Sequence, residues 1–204
     1  MKKIMFNDKF GLTQAVLEGR KTITRRSIPK KLLESIELYA HGNEEELRHR
    51  LLANSSYHVG EVVAIAQSYE TLANSGYLDK MMDGPLSMKK EYAGAGYKNK
   101  MFVKAELMPH HIKITNIRVE RLQEISGEDC LREGVVKNTI GYYVEGLKCK
   151  DWEKESHIEM ENGETLKLFP TPREAFAALI DKVSGIGTWD SNPMVWVYEF
   201  DLVD

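Results

Sequence analysis

The sequence predicts an α+β protein, because strong strand and helix patterns both occur along its 204 residues. Two apolar runs, at 59–66 and 194–200, are typical of strands that are buried on both faces. Thr171-Pro172-Arg173-Glu174 supplies an N-cap, a proline in the first turn and a capping glutamate, which predicts a helix. We expect these elements to belong to one domain, residues 1–204.

Composition excludes several classes of protein. Apolar residues at 42% and charged residues at 29% are ordinary for a globular protein and argue against a wholly disordered chain. No apolar run approaches the roughly 20 residues that cross a bilayer, and the N-terminus lacks the apolar segment of a signal peptide. Cys130 and Cys149 are not in Cys-x-x-Cys spacing and fit a reducing compartment. We therefore expect a cytoplasmic protein without a membrane partner.

The six histidines match no zinc-binding spacing, so we expect neither a metal nor a cofactor. Net charge is −3, which argues against a protein that simply coats nucleic acid. Residues 1–31 nevertheless hold nine Lys and Arg against two acids, a balance of +7, which leaves −10 for the remainder. This local excess fits anion or phosphate contact at one site, and a solvated surface of mixed charge explains it equally well.

The N-terminal region predicts a helix followed by a strand. Leu12, Ala15 and Val16 form one helical stripe, and Gly19 suits the left-handed residue that ends a helix. The β-branched residues at 22–24 favour a strand after it.

Helical patterns and a long loop are expected next. Residues 27–54 read as helical, with Pro29 near the first start and Asn43 as the N-cap of a second helix. Residues 67–100 are predicted to be mostly loop with short helical pieces, because tyrosines 69, 77, 92 and 97 alternate with glycines 76, 84, 94 and 96. Packing explains these tyrosines better than base stacking does.

The middle of the chain predicts strand and then helix. Met101–Leu122 reads as a strand pair, or one bent strand broken at Met108-Pro109, with a change of phase near Thr115-Asn116 that a β-bulge would explain. Ser126 and Asp129 resemble a capping box that opens a short helix ending near Gly134. Glu133 is the exception, since a carboxylate in the last turn opposes the helix dipole. A residue that breaks a local rule is a candidate for function, and an exposed, harmless side chain is the alternative.

Turn signals organise the C-terminal part. Asn162-Gly163 predicts an exposed, peripheral hairpin. The helix after Thr171 shows an apolar stripe that ends near Gly185 and consists of Phe176, Leu179, Ile180 and Val183. Asn192-Pro193 predicts a turn into the last strand, which its large apolar groups place centrally in a sheet.

The stretch Gly19-Arg20-Lys21-Thr22-Ile23-Thr24-Arg25-Arg26 carries four cations and no acid at a helix-to-strand junction. Its Gly-x-Lys-x-x-x-x-Arg spacing resembles the signature of the ASCH-domain family of bacteria and phages, small β-barrels related to the PUA RNA-binding fold. The resemblance implies a PUA-like mixed β-barrel with surrounding helices and inserted loops. The insertions would lie near 29–58, 67–100 and 137–168.

The same resemblance implies site residues. Small bacterial ASCH proteins that hydrolyse the amide of N4-acetylcytidine use a Lys, a Thr three residues later and a Glu at the end of a short helix. Lys21, Thr24 and Glu133 match these as catalytic residues. Arg20, Arg25 and Arg26 of the same basic stretch are the expected nucleic-acid or ligand-binding residues.

Lys21 and Thr24 have the chemical groups that amide hydrolysis needs, but their spacing along a strand restricts how they can meet. A threonine hydroxyl needs a base beside it, and a lysine serves as base only if its pKa falls. On a regular strand, positions three apart face opposite sides, so Lys21 and Thr24 meet only across a bend.

Three functions remain open. The first is a module that binds RNA or a modified nucleobase in a cleft lined by Lys, Thr, Arg and Glu. The second is an amidohydrolase of N4-acetylcytidine-like substrates. The third is a protein-interaction module in which Lys21 and Glu133 form a structural ion pair, with a protein partner that the sequence does not identify.

Overall fold

The structure, a computed structural model, describes residues 1–77 and 96–203. It is a mixed α+β fold, as predicted. Its strands are β1 (Lys3–Ile4), β2 (Ile23–Ser27), β3 (Val62–Ile65), β4 (His111–Arg121), β5 (Val136–Asn138), β6 (Gly141–Tyr143), β7 (His157–Glu159), β8 (Thr165–Lys167) and β9 (Met194–Leu202). Its helices in the described residues are α1 (Leu12–Leu17), α2 (Lys30–Ala40), α3 (Glu44–Ala53), α4 (Tyr69–Asn74), α5 (Gly127–Arg132), α6 (Pro172–Ser184) and α7 (Thr188–Ser191).

The main sheet has five strands in the order β1-β3-β4-β9-β2. It is mixed, since β1 runs parallel to β3, whereas β3 pairs antiparallel with β4 and β2 with β9. Among the described strands, β1 and β2 are the two edges, so no closed barrel forms there. Strand β9 lies inside the sheet with residues 194–198 all buried, which confirms the prediction of a central strand.

The chain divides into two compact units, and the expectation of one domain with three insertions stays a prediction. The first unit comprises residues 1–6, 60–113 and the C-terminal residues from 202. Its core is formed by Ala64, Ala66, Tyr69, Leu72, Val103, Ala105 and Met108. Tyr77 and Tyr97 pack against this core, which confirms packing as the role of three of the four tyrosines. Tyr92 and glycines 84 and 94 lie outside the described residues.

Strand structure before His111 was wrongly predicted. Lys100–Phe102 and Ala105–Leu107 are single 3-10 turns, and only β4 is a strand. The side chain of Asn99 accepts a hydrogen bond from Met101 N and opens the first turn. Met101 and Phe102 are exposed, whereas Val103, Ala105 and Met108 are buried, so burial in this stretch does not alternate as it would along a strand.

Burial along β4 changes phase where the sequence predicts it. Ile112 and Ile114 are buried, Thr115 and Asn116 are exposed in succession, and Val119 is buried. Because side chains alternate between the two faces of a strand, the buried face changes from even to odd positions at this point. The predicted change of phase is confirmed.

The second unit comprises residues 7–59 and 114–201. Three predicted N-caps are confirmed in it, and one of them is Ser126, which accepts from Asp129 N. The Asn43 side chain accepts from Glu46 N at the start of α3, and Thr171 accepts from Glu174 N at the start of α6. Gly163 has φ of +79° in the turn between β7 and β8, so the predicted hairpin is also confirmed.

The apolar stripe of α6 differs from the prediction at its end. Ala175, Phe176 and Leu179 are buried, whereas Val183 is 42% exposed. Periodicity places Val183 on the same side as Phe176, but burial also depends on how far the neighbouring elements extend along a helix. No helix in the described part of the chain is long and apolar enough to cross a membrane.

Candidate functional site

Lys21 lies between α1 and β2, and its side chain is only 1% exposed. Gly19, with φ of +71°, lets the chain leave the helix, and Lys21 N then donates to Ala15 O. The Lys21 ammonium donates to Ile23 O at 2.7 Å, to Glu133 O at 2.8 Å and to Glu133 Oε2 at 2.5 Å. An ammonium has three N–H groups, so these acceptors match its donors one for one.

Glu133 is the C-cap residue of α5, a helix that Ser126 opens by accepting from Asp129 N. Gly134 follows with φ of +110°, and a Cβ there would lie 2.9 Å from Leu12 Cδ2. The chain therefore needs glycine at this turn, and the turn places Glu133 against Lys21. The carboxylate that opposes the helix dipole is compensated by two buried cations, Lys21 and Arg25.

Arg25 lies at the centre of three carboxylates. Its Nε and Nη2 donate to Glu120 Oε1 at 2.9 Å and 2.5 Å, Nη2 donates to Asp129 Oδ2 at 2.9 Å, and Nη1 donates to Glu133 Oε1 at 3.2 Å. Burial disfavours the charged guanidinium, but Glu133, Glu120 and Asp129 together raise the pKa of Arg25 above its usual value. Arg25 is therefore held as a buried cation.

Further ion pairs extend this arrangement over the same unit. Arg118 donates to Glu199 Oε1 and Asp129 Oδ2, both at 2.5 Å, and Arg132 donates to Glu199 Oε2 at 2.8 Å. We call the whole set the ion network: Lys21, Arg25, Arg118, Arg132, Glu120, Asp129, Glu133 and Glu199. Four cations and four carboxylates give it a formal charge of zero.

The ammonium of Lys21 loses a proton more readily than an exposed lysine does. Burial lowers the pKa of Lys21, Glu133 opposes that shift, and Arg26 and Arg25 add to it. A lysine with a lowered pKa is better suited to accept a proton from a hydroxyl. In the geometry seen here, however, each N–H direction of the ammonium already meets a protein oxygen.

Thr24 and Arg26 lie on the opposite face of β2 from Arg25. In the register with β9, Thr24 is opposite Tyr198 and Arg26 is opposite Trp196. Because successive side chains of a strand alternate, Thr24 and Arg26 share one face with these aromatic residues. No hydrogen bond within the described residues joins the Thr24 hydroxyl to Lys21.

Two tyrosines complete this second face. The Tyr57 ring meets the Tyr198 ring edge-on at 5.1 Å, and Tyr198 OH lies 2.9 Å from Ser55 Oγ. Burial lowers the pKa of Arg26, whereas Tyr57, Glu133 and Tyr198 raise it. We call Thr24, Arg26, Tyr57 and Tyr198 the Thr24 face; Thr24 and Tyr198 are buried, while Arg26 and Tyr57 are half-buried.

Arg20 lies apart from both groups. Its guanidinium is partly exposed and pairs with Glu18 at 2.7 Å and Glu145 at 3.1 Å. Of the six predicted site residues, the structure therefore joins Lys21, Arg25 and Glu133 in the ion network. It places the remaining two, Thr24 and Arg26, on the Thr24 face.

Sequence reasoning missed the carboxylates that surround Arg25. Asp129 was read as a capping residue, yet its carboxylate accepts from Arg25, Arg118 and Arg132. Arg118 and Glu120 carried a usable signal, because two opposite charges at i and i+2 lie on one face of a strand. A charged pair in a strand of otherwise apolar alternation indicates an ion pair on that face.

No cluster of three or more His, Cys, Asp or Glu side chains in the described ranges is arranged to hold a metal ion. Cys130 and Cys149 are both free thiols, and burial raises the pKa of Cys130 to about 12. Cys130 is therefore protonated at neutral pH and unreactive as a nucleophile. Comparison of the chain with protein-family models, with curated proteins and with solved structures gave no match.

Proposed function

We propose that this chain is an ASCH- and PUA-like module that binds a modified nucleobase or RNA. The observation that carries the proposal is the contact of Lys21 with Glu133 at 2.5 Å, across 112 positions of sequence. These are the lysine and glutamate that the ASCH resemblance marks as site residues. The five-stranded mixed sheet supports a PUA-like architecture, and closure into a barrel is part of the proposal.

In this proposal the ion network anchors the site and the Thr24 face meets the ligand. Lys21, Arg25 and Glu133 are buried, and their polar atoms bind one another. Arg26 on β2 and Tyr57 in the segment between α3 and β3 are both half-buried. A tyrosine ring stacks on a base, and an arginine donates to base carbonyl and ring-nitrogen atoms, so the two side chains suit a nucleobase.

The same geometry favours a nucleobase over the phosphates of an RNA strand. Arg20, Lys21 and Arg25 supply three of the four cations in the basic stretch, and each is paired with carboxylates. A cation already paired with a carboxylate gains little from a phosphate, because the new contact replaces an existing one. We therefore expect recognition through the base, with few phosphate contacts.

Calorimetric titration with cytidine, N4-acetylcytidine and a short single-stranded RNA tests the proposal. We expect saturable nucleoside binding by the wild type and a loss of about tenfold or more in Arg26→Gln, because a hydrogen bond to a charged group is removed. Arg20→Gln is the matched control and should bind as the wild type does, since Arg20 lies apart from the Thr24 face. No saturable binding by folded wild type, or equal losses in the two variants, would refute the proposal.

A second candidate, hydrolysis of an N4-acetylcytidine-like amide, is favoured by the lowered pKa of Lys21. Lys21 would take the proton of Thr24 Oγ1 as that oxygen attacks the amide carbonyl, and Glu133 would orient Lys21. Lys21 then returns this proton to the N4 atom as the C–N bond breaks, and cytidine leaves. Water attacks the acylated Thr24, one of its protons restores the Thr24 hydroxyl, and acetate leaves. This requires Lys21 to react as the neutral amine and to give up at least one of its present hydrogen bonds so that it reaches Thr24 Oγ1.

Chromatographic detection of cytidine after incubation with N4-acetylcytidine tests this candidate. Turnover should vanish in Lys21→Met and in Thr24→Val and persist in Arg20→Gln. Lack of turnover by folded wild type removes the candidate. A lack of both turnover and nucleoside binding would favour the third function, a protein-interaction module with a structural Lys21–Glu133 pair.

We place this function in the cytoplasm. The support is that both cysteines are thiols, Cys130 buried and Cys149 half-buried, as is usual for proteins of a reducing compartment.

A further inference from the structure

The guanidinium of Arg25 has no part in the ligand contacts proposed above, although it touches Glu133 directly. Arg25 Nη1 donates to Glu133 Oε1 at 3.2 Å, and Lys21 donates to Glu133 Oε2 at 2.5 Å. Each oxygen of the Glu133 carboxylate therefore has its own cationic donor. A carboxylate held at both oxygens cannot rotate without losing a charge-assisted hydrogen bond.

Arg25 is itself fixed on its other side. Glu120 Oε1 accepts from both Nε and Nη2, and Asp129 Oδ2 accepts from Nη2. The side chain of Arg25 is 1% exposed, so water does not compete for these bonds. A guanidinium is a rigid planar fork, and contacts on one edge determine where its remaining N–H groups point.

We propose that Arg25 is a positioning residue, which holds the Glu133 carboxylate in the orientation that Lys21 requires. The inference rests on the proposed function only in treating Lys21 and Glu133 as the anchor of the binding site. Glu133, Arg25 and Arg26 are among the charged groups that act on the Lys21 ammonium. Arg25 also shares the Glu133 carboxylate with Lys21.

NMR of the lysine side-chain ammonium groups tests this without any ligand. The Lys21 signal is assigned by its absence in Lys21→Met, and its exchange with water is measured in the wild type and in Arg25→Gln. We expect exchange about tenfold faster in Arg25→Gln, because release of Glu133 weakens a charge-assisted hydrogen bond to the ammonium.

Arg132→Gln is the matched control. Arg132 belongs to the same ion network, but its side chain donates to Glu199, Asp129 and Thr22, and not to Glu133. Exchange at Lys21 should therefore equal that of the wild type in this variant. Wild-type exchange in Arg25→Gln overturns the proposal, and so does equal acceleration in Arg132→Gln, which would indicate general loosening.

Arg25→Lys covers the case in which Arg25→Gln does not fold. This variant keeps the positive charge but loses the planar guanidinium with its several N–H donors. Exchange at Lys21 should therefore again be faster than in the wild type, and exchange at the wild-type rate refutes the proposal. Nucleoside titration of the same samples separates the two inferences. Faster exchange in the Arg25 variant together with no nucleoside binding by the wild type supports the positioning role and refutes the proposed function.

Discussion

In the Lys21–Glu133 contact, the loss of hydration opposes the attraction between the two charges. Both side chains are almost fully buried, so each loses its hydration when the protein folds. Their attraction and their additional hydrogen bonds offset that loss. Removal of one partner leaves the other charge buried without it, which costs more than removal of both partners. A single substitution therefore reveals the contact.

We predict that Lys21→Met lowers the free energy of unfolding by about 3 kcal/mol, the usual effect of leaving a buried charge with fewer partners. Urea denaturation followed by circular dichroism measures the change. Arg20→Met is the control, because Arg20 pairs at the surface with Glu18 and Glu145, where a salt bridge contributes about 0–1 kcal/mol. Equal, small losses in both variants would show that the buried pair is not an energetic anchor.

Glu133 could be identified from the sequence by its position at the end of a helix. The dipole rule marked it as unfavourable at the end of α5, and the structure supplies the two cations that compensate it. Lys21 and Glu133 could be selected from local patterns together with the family resemblance. The alternation of Arg118 and Glu120 indicates an ion pair, but the position of Glu120 and Asp129 around Arg25 could not be predicted. It depends on how β4 and α5 are placed relative to β2 in the fold, and local patterns do not contain that information.

At the scale of elements, capped helices were predictable and the start of β4 was not. Asn43 and Thr171 act on amides three residues away, so the sequence contains the whole interaction. The turns at 100–107 bury Val103 and Ala105 and leave Met101 and Phe102 exposed, and which residues are covered is decided by distant parts of the chain. The same reason explains why Val183 was wrongly expected to be buried.

The carboxylate of Glu155 accepts several hydrogen bonds in the loop before β7. Glu155 Oε2 accepts from the amides of Lys150 and Asp151, and Glu155 Oε1 accepts from Lys167 Nζ at 2.5 Å. The hydrogen bond from Lys167, followed by that from the Lys150 amide, lowers the pKa of Glu155 from 4.5 to about 2. The loop is therefore held by the ionised form of this carboxyl.

The sign of the pH effect follows from linkage. The folded-state pKa lies below the unfolded value, so the stabilisation is present above about pH 4.5 and is lost as pH falls through about 2. NMR titration should show the Glu155 carboxyl and the amides of Lys150 and Asp151 changing together with a midpoint near 2. Glu155→Gln should abolish the amide titration, whereas Glu159→Gln should preserve it. A midpoint near 4.5 in the wild type would contradict the prediction.

At the scale of the whole molecule, the positive charge of the N-terminal residues is offset by carboxylates from other parts of the chain. The chain carries −3 in total, although residues 1–31 carry +7. Much of that excess is matched by partners close in space, since Arg20, Lys21 and Arg25 all pair with carboxylates. Composition gave the excess, but only the fold shows that it is largely neutralised.

This neutralisation predicts how binding should respond to salt. A protein that neutralises Z phosphates of a single strand releases counterions, and its log affinity falls with log salt at a slope of about −0.7Z. If the ligand is recognised through its base, the slope for N4-acetylcytidine should be close to zero between about 0.05 and 0.3 M salt, because a free nucleoside carries no phosphate. A single-stranded RNA that carries the same base should bind with a slope no steeper than about −1, because Arg20, Lys21 and Arg25 of the basic stretch are already paired with carboxylates. Calorimetry across a salt series measures both slopes, with Arg26→Gln as the variant that should lower affinity at every salt concentration. A steep slope for RNA, with no binding of the free nucleoside, would contradict recognition through the base and would assign the basic stretch to the RNA backbone.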